Sequence, residues 1–327
     1  MPLNPVLKRL PILILSPHSR CNCRCVMCDI WKNPDTDEIS AQDLERHLIS
    51  LESMGLEWVV FSGGEPLMHS DLFRLCALLR KRKIRVTILS TGLLLERHAA
   101  AIVENTDDVI VSLDGPRDVH DRIRRVAGAF DRLAAGVHAI HARRPEFPVH
   151  ARCTVQRLNH NQLRATVAVA RRIGLHGISF LAADLTSTAF NRLAVWDADR
   201  QMQVALGREQ TAALESEIEA LALEGDCGEF VAESPEKLGR IVRHFRVHLG
   251  EIAPAAPRCN APWVSVAVEA DGTVRPCFFH PPIGKVDAGT TLGDVINSPE
   301  AVRFRNSLDV ASNPVCQRCV CSLNWRY

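Results

Sequence analysis

The sequence predicts an α/β fold: a partial barrel of six strand–helix units followed by a small C-terminal α+β hairpin domain. Two observations carry this. Short apolar runs alternate with segments of helical periodicity from residue 11 to residue 181, and after about residue 185 the alternation gives way to longer helical stretches and a hairpin. A series of strand–helix units implies a parallel sheet with right-handed crossovers, curled or open. A third observation concerns chemistry: nine of the twelve cysteines fall in two groups at opposite ends of the chain, with only Cys76, Cys153 and Cys227 outside them. The organisation reads as a core over 1–190, a helical linker or lid over 191–258 and a hairpin domain over 259–327.

The elements follow in order. Residues 11–16 form the first strand. Ser40, with Asp43 three residues on, makes a capping box for a helix that carries Leu44, Leu48 and Leu51 and stops at Gly55. A strand over 58–61 runs into Gly63-Gly64, and Ser70 caps a helix ending in Arg80–Lys83. Strands over 84–89 and 109–113 flank a helix over 95–104. Phe130, Leu133, Val137 and Ile140 mark a helix closed by Pro145. A strand over 149–155, a helix through Leu163, Val167, Ala170 and Ile173, and a strand over 178–181 complete the core. Residues 199–224 and 235–249 read as helices. Residues 263–269 alternate as a strand and meet the hairpin signal Asp271-Gly272, and a helix over 292–307 precedes the last cysteines.

Composition restricts the function. Lys and Arg number 39 and Asp and Glu 38, for a net charge of +1, so no global field draws the chain to nucleic acid or to an anionic membrane. No signal peptide or apolar span is evident, and a cytoplasmic location is expected. In that compartment thiols stay reduced, so grouped cysteines point to metal rather than to disulfides.

Cys21-x3-Cys25-x2-Cys28 directly follows the first strand. Three thiolates on one loop can hold three irons of a [4Fe–4S] cube and leave the fourth open. A zinc knuckle completed by Cys23 or a distant histidine is the alternative; in the iron reading Cys23 is a bystander between ligands. The loop resembles the signature of the radical S-adenosylmethionine (SAM) superfamily. That resemblance implies a TIM-like (β/α)6 partial barrel whose open iron binds the amino and carboxylate groups of SAM, and reductive cleavage of SAM to a 5′-deoxyadenosyl radical that takes a hydrogen atom from substrate. Met27 stands where the family more often has an aromatic residue near the adenine.

Further motifs follow the resemblance. Gly63-Gly64-Glu65-Pro66, at the end of the second strand, is similar to the family's Gly-Gly-Glu-Pro motif, which lies along the SAM amino group; glycines let backbone approach a ligand closely. Ser112-Leu113-Asp114-Gly115 resembles the Ser-x-Asp-Gly segment, whose serine contacts the ribose or methionine part. Thr91 is a weaker candidate, at a strand end where relatives carry Asn. A cation is needed for the SAM carboxylate, and Arg124 and Arg152 are the candidates. No residue is singled out for proton or hydrogen transfer, and the histidines, His69 and His280 among them, are read as structural.

Cys259-x12-Gly272-x4-Cys277 followed by Cys316-x2-Cys319 resembles the auxiliary-cluster extension known as the SPASM or twitch domain. The resemblance implies one auxiliary [4Fe–4S] cluster on Cys259, Cys277, Cys316 and Cys319, the twitch arrangement, with Cys321 a further possible ligand. A structural zinc ribbon is the alternative.

The function expected is a biosynthetic, oxidoreductase-like enzyme that abstracts a hydrogen atom from a small molecule, its auxiliary cluster accepting an electron or orienting substrate, with a donor such as flavodoxin or ferredoxin. Peptide-modifying relatives often carry a further domain of ~80 residues before the cysteine loop; the twenty residues found here favour a small molecule over a ribosomally made peptide. A zinc-bearing binding module is the reading from another class.

Overall fold

The computed structural model describes residues 4–192 and 194–326. The core runs β1 (Ile12–Leu15), α1 (Ala41–Leu51), β2 (Trp58–Phe61), α2 (Leu72–Lys81), β3 (Arg85–Ser90), α3 (Leu95–Asn105), β4 (Asp108–Ser112), α4 (Arg117–Arg124), α5 (Ala129–Arg143), β5 (Val149–Val155), α6 (Leu163–Arg172) and β6 (Gly177–Ala182). Then come α7 (Ala198–Met202), α8 (Arg208–Leu223), α9 (Pro235–His248), α10 (Ala261–Val264), β7 (Ser265–Val268), β8 (Thr273–Arg275), β9 (Gly284–Lys285), α11 (Leu292–Ile296), α12 (Pro299–Ser307) and α13 (Pro314–Gln317).

The strands form one sheet in the order β6-β5-β4-β3-β2-β1-β7-β8-β9. Strands β1 to β6 pair in parallel, as the series of strand–helix units requires. The sheet stays open, as a partial barrel. Burial alternates cleanly along β5: Val149, Ala151, Cys153 and Val155 are buried against the helices, while His150, Arg152 and Thr154 face the less crowded side. Residue pairing then places Ser112, Arg152 and Ser179 side by side on that second face.

The C-terminal hairpin does not build a sheet of its own. Its first strand, β7, lies parallel to β1 in the register Ile12↔Ser265 to Leu15↔Val268, and β8 and β9 continue antiparallel from it. The strand that launches the first cysteine loop is therefore the strand that carries the second cysteine group. At the opposite edge, β6 is capped by residues 227–232: Ile178 N–H donates to Phe230 O at 2.8 Å and Ala232 N–H to Ile178 O at 2.9 Å, which hides an edge that would otherwise be open to pairing. Helices α8 and α9 pack on each other, and α9 packs on β6.

Local sequence chemistry explains most boundaries. The Ser40–Asp43 capping box starts α1, and Leu44, Leu48 and Leu51 are its buried face. Five details differ from the sequence reading. Ser70 does not cap α2; its N–H donates to Glu38. Helix α4 is additional, a short polar helix whose periodicity is too brief to read. The stretch 199–224 breaks before Gly207 into α7 and α8, and the expected strand from 263 begins only at Ser265, because Ala261–Val264 forms a helical turn with Pro at its start. The last helix divides at Pro299, where Ser298 caps the second part by accepting from Ala301 N–H.

Candidate functional site

The loops following the parallel strands converge on residues 19–29. At the end of β2, Gly64 packs so closely on the first cysteine loop that a Cβ there would lie 2.0 Å from Arg20 O, and Gly63 has φ +93°. Only glycine fits both positions. Glu65 N–H donates to Arg20 O at 3.0 Å. The two glycines thus first serve to press the β2 loop against the cysteine loop.

Glu65 is completely buried. Its carboxylate accepts from Leu67 N–H at 3.1 Å, Ser90 Oγ at 3.0 Å and Thr91 N–H at 2.6 Å, and lies 2.6 Å from Thr91 Oγ1. Burial raises its pKa, and the Thr91 and Leu67 hydrogen bonds oppose the rise. A carboxylate with this many internal donors clamps the ends of β2 and β3 together. Thr91 extends the clamp, since its Oγ1 is 2.9 Å from Asn22 Oδ1 on the cysteine loop.

A second clamp reaches across from β4. Asp114, fully buried, accepts from Thr154 N–H at 3.0 Å and pairs with Arg124 at 2.6 Å. Arg124 Nη1 donates to Cys25 Sγ at 3.5 Å. The backbone at the end of α4 holds the same loop, Arg24 N–H to Arg124 O and Val26 N–H to Ile123 O, both at 3.1 Å. Arg124 is therefore already neutralised by Asp114 and directed at a sulfur. Arg152 donates to Ser179 Oγ at 3.3 Å and has no carboxylate within ion-pair distance among the described residues. Its charge acts on the half-buried Glu233, and Ser112 is its neighbour in register.

Met27 is buried, with its sulfur 3.8 Å from Gln156 Nε2. Gln156 is the first residue after β5, so this contact lays the cysteine loop over the middle of the sheet. The segment after β6 closes over the other side. Arg192 Nη2 reaches Met27 O at 3.5 Å, Trp196 Nε1 donates to Asp29 Oδ2 at 2.7 Å and Arg200 Nη2 to Val26 O at 2.5 Å.

The sulfurs of this loop are strongly desolvated. Burial pushes Cys21 and Cys28 up to about 12. Cys25 goes the other way: the interaction with the buried Cys23 thiol, together with the Arg124 charge, outweighs burial and brings Cys25 to about 7. Cys23, buried beside Cys25, thus bears on that thiol's charge. Ile30 N–H also points at Cys28 Sγ, at 3.4 Å. Thiols this desolvated ionise when a metal supplies the charge, and N–H···S contacts suit iron–sulfur ligation, so the donor set fits a cluster.

The second group gathers as well. Cys259, Cys277, Cys316, Cys319 and Cys321 line one cavity together with His280. His280 is buried with Nε2 3.4 Å from Cys316 Sγ, a position its sequence neighbourhood does not announce. Ala261 N–H points at Cys259 Sγ at 3.5 Å. Burial raises Cys277 to about 12 and Cys316 to about 11. Asn260, beside Cys259, grips the tail: it donates to Trp325 O at 2.8 Å and accepts from Trp325 N–H at 2.9 Å, while its own N–H donates to Leu323 O at 2.8 Å. Cys321 differs from the other four. It is exposed as a residue, yet burial of its sulfur raises its pKa, and the Arg152 charge opposes the rise.

Comparison with known proteins now bears directly on these two sites. Residues 15–170 match the model of the radical SAM superfamily, and residues 259–320 match that of SPASM, an iron–sulfur cluster-binding domain. The chain belongs to the radical SAM superfamily and carries a SPASM region. It is 27 % identical to the Fe-coproporphyrin III synthase of Methanosarcina barkeri over 97 % of this chain and 83 % of that protein. It is also 27 % identical to the GTP 3′,8-cyclase of Chlorobaculum tepidum, over 80 % of this chain and 76 % of that protein. The fold is similar to that of Streptococcus suis SuiB bound to the precursor peptide SuiA, with a TM-score of 0.70 at 15 % identity over 97 % of this chain and 72 % of that one. The superfamily and SPASM regions imply a [4Fe–4S] cluster and SAM, and the chain is an enzyme. Among the described residues, no helix is long and apolar enough to cross a membrane.

Proposed function

We propose that this radical SAM enzyme abstracts a hydrogen atom from a small anionic biosynthetic substrate, a tetrapyrrole, with Cys21, Cys25 and Cys28 holding the catalytic cluster. The observation that carries the reading is the convergence of two buried clamps, Glu65 with Ser90 and Thr91, and Asp114 with Arg124, on a loop of three desolvated thiols. When bound there, cluster and SAM supply a one-electron cleavage that yields the hydrogen-abstracting species.

This chain's own residues do the positioning. Gly63 and Gly64 leave backbone close to the SAM amino group, and Glu65 fixes that loop from beneath instead of binding the ammonium itself. Ser112 and Arg152 share the inner face on adjacent strands and take the SAM carboxylate. Arg124 acts on the cluster, through Cys25. Met27 packs against the adenine side, and residues 183–192 and 194–200 exclude water.

One auxiliary cluster on Cys259, Cys277, Cys316 and Cys319 accepts an electron or orients substrate. The tetrapyrrole is favoured because the similarity to Fe-coproporphyrin III synthase runs through both cysteine groups and 97 % of the chain, further than that to the GTP cyclase. The likeness to the peptide-bound SuiB shows the fold alone.

The test is anaerobic reconstitution followed by reductant and SAM. Release of 5′-deoxyadenosine, rising when an iron tetrapyrrole with more carboxylate side-chain carbon than iron coproporphyrin III is added, is the expected result. No release at full iron loading would sink the assignment.

A further inference from the structure

The sulfurs of the second group sit in surroundings with little polarity of their own. In the first loop a buried guanidinium is directed at Cys25 Sγ. Around the second cavity the lining other than sulfur is Pro257, Pro262, Val310, Val315, Phe279 and His280. His280 is the side chain of that set with a nitrogen to offer. It is buried, and its Nε2 lies 3.4 Å from Cys316 Sγ. Among the described residues no other side-chain nitrogen lies within hydrogen-bond distance of a sulfur of this group, and no backbone N–H is directed at Cys316 Sγ.

The imidazole is fixed from several sides. His280 N–H donates to Cys277 O at 3.4 Å, which closes a turn from the hairpin cysteine. His280 O accepts from Arg275 Nη1 at 3.1 Å, and Arg275 is itself bound by Glu269 across the hairpin. Pro281 and Pro282 come next in the chain; a proline fixes its own φ and confines the residue before it to extended backbone. From α12, Phe304 packs against the ring edge to face, with centroids 5.0 Å apart and planes inclined at 68°. The backbone is thus held by the hairpin and the ring by α12, while the sulfur it reaches comes from α13.

The contact has one chemical sense. A metal-bound thiolate accepts and does not donate, so the ring nitrogen facing it carries the hydrogen. Neutral and charged imidazole both offer that N–H at Nε2, and the contact does not depend on protonation. Nor is the nitrogen needed as a ligand, because five thiols already exceed what one cube takes. Hydrogen bonds to the sulfurs are a lever on the potential of an iron–sulfur centre: a donor favours the form with more negative charge, which is the reduced one. We propose that His280 is a positioning residue of the second site, donating Nε2–H to the Cys316 sulfur and raising the one-electron reduction potential of the auxiliary cluster. That suits the cluster to accept an electron. The inference rests on the auxiliary-cluster reading above and names the residue that sets its potential.

The test is an anaerobic redox titration of the reconstituted full chain followed by electron paramagnetic resonance, with the signal that added SAM leaves unchanged read as the second cluster's. His280→Leu is expected to shift the reduction equilibrium about tenfold toward the oxidised form, a potential about 59 mV more negative for a one-electron couple, with iron and sulfide per chain as in the parent. His280→Gln restores an N–H donor and should recover part of the shift. An unshifted potential in His280→Leu overturns the proposal. If His280→Leu loses iron, the parent protein labelled with 15N-histidine decides: a weak 15N coupling with an exchangeable proton in pulsed measurements upholds the donor role, while the strong coupling of a directly bound nitrogen, or no coupling, overturns it. Zinc without sulfide at the second site overturns the auxiliary-cluster reading itself.

Discussion

The two cysteine groups hold their sulfurs by different means. The first is a single loop, pinned from three neighbouring strands by buried charges and backbone hydrogen bonds: Glu65 from β2, with Ser90 and Thr91 from β3, and Asp114 with Arg124 from β4. The second is assembled from pieces far apart in the chain, a hairpin and a tail, joined where Asn260 grips Trp325 across 65 residues. The first carries its own electrostatics, a buried guanidinium on Cys25. The second lines a cavity mainly with sulfur, proline and aromatic surface, with one thiol more than a cube can use. Catalysis that depends on where a radical forms needs the first kind of rigidity. A site that accepts an electron or orients a ligand tolerates the second.

The sharpest way to break this comparison is to remove one sulfur from each group. Cys25→Ala is expected to abolish 5′-deoxyadenosine release and to lower iron by about four per chain. Cys319→Ala should lower iron by a similar amount and keep release of 5′-deoxyadenosine measurable while product formation stops. Release lost equally in both variants would mean that the two sites are not separable.

How much of this was legible follows from the same contrast. The first cysteine loop, the Gly-Gly-Glu turn and Ser112 could be named because each is a short local pattern at the end of an apolar strand. What those residues touch could not be read. Nothing in the spacing says that Glu65 is fully occupied by Ser90, Thr91 and Leu67, or that Arg124 faces Cys25 while Arg152 faces Ser179, because those choices depend on strand register. Helix α4 was missed, and with it the reason that Arg124 is buried. The hairpin at Gly272 was visible, but its parallel docking on β1 was not, since β1 and β7 lie some 250 residues apart and no local signal links them. Phe190 and Asn191 carry no turn signature at all; their left-handed backbone follows from the Arg192–Asp184 anchor.

Glu65 offers the next largest effect. Glu65→Ala leaves the Thr91, Leu67 and Ser90 donors without their acceptor in a fully buried site, a cost of about 2–4 kcal/mol, seen as a lower unfolding midpoint in urea. Glu65→Gln keeps the shape and should cost less. No residue of the second group plays a comparable part, so its substitutions should change iron content more than global stability. An undisturbed midpoint in Glu65→Ala would show that the loop is held by backbone contacts alone.

Acid should distinguish the sites as well. His120, on α4 behind Asp114, is fully buried and accepts from Asp114 N–H. Burial, aided by Arg124, lowers its pKa from 6.5 to about 3. The folded state therefore binds fewer protons than the unfolded one between those values. The stabilisation is complete above about 6.5 and is lost as pH falls toward about 3, by up to about 1.4 kcal/mol per pH unit. His120→Gln should flatten the dependence of the urea midpoint between pH 7 and pH 5. Burial also lowers other histidines, His244 to about 4 and His280 in the second site among them, so an unchanged slope in His120→Gln would move the acid sensitivity away from the first site.

Asn260→Ala is a milder change. It removes both side-chain bonds to Trp325, worth about 1–2 kcal/mol locally, and should speed amide exchange at residues 323–325 without moving the global midpoint. Slow exchange in the variant would mean that the tail is held by the Trp325 ring, which lies 6.4 Å from Trp58.

The smallest effect should come from Cys321, and it is the most informative about the second group. The matched SPASM region ends at residue 320, one residue short of this thiol. Cys321 is the most exposed residue of the five, although burial of its sulfur raises its pKa and the Arg152 charge opposes that rise. If Cys259, Cys277, Cys316 and Cys319 complete the auxiliary cluster, Cys321→Ser leaves iron, sulfide and the cluster's electron paramagnetic resonance signal as they were. If the hairpin and tail are loosely enough joined for the thiols to exchange, the signal changes while the iron count holds. A loss of about four irons would make Cys321 a ligand and move one of the other four out of the set.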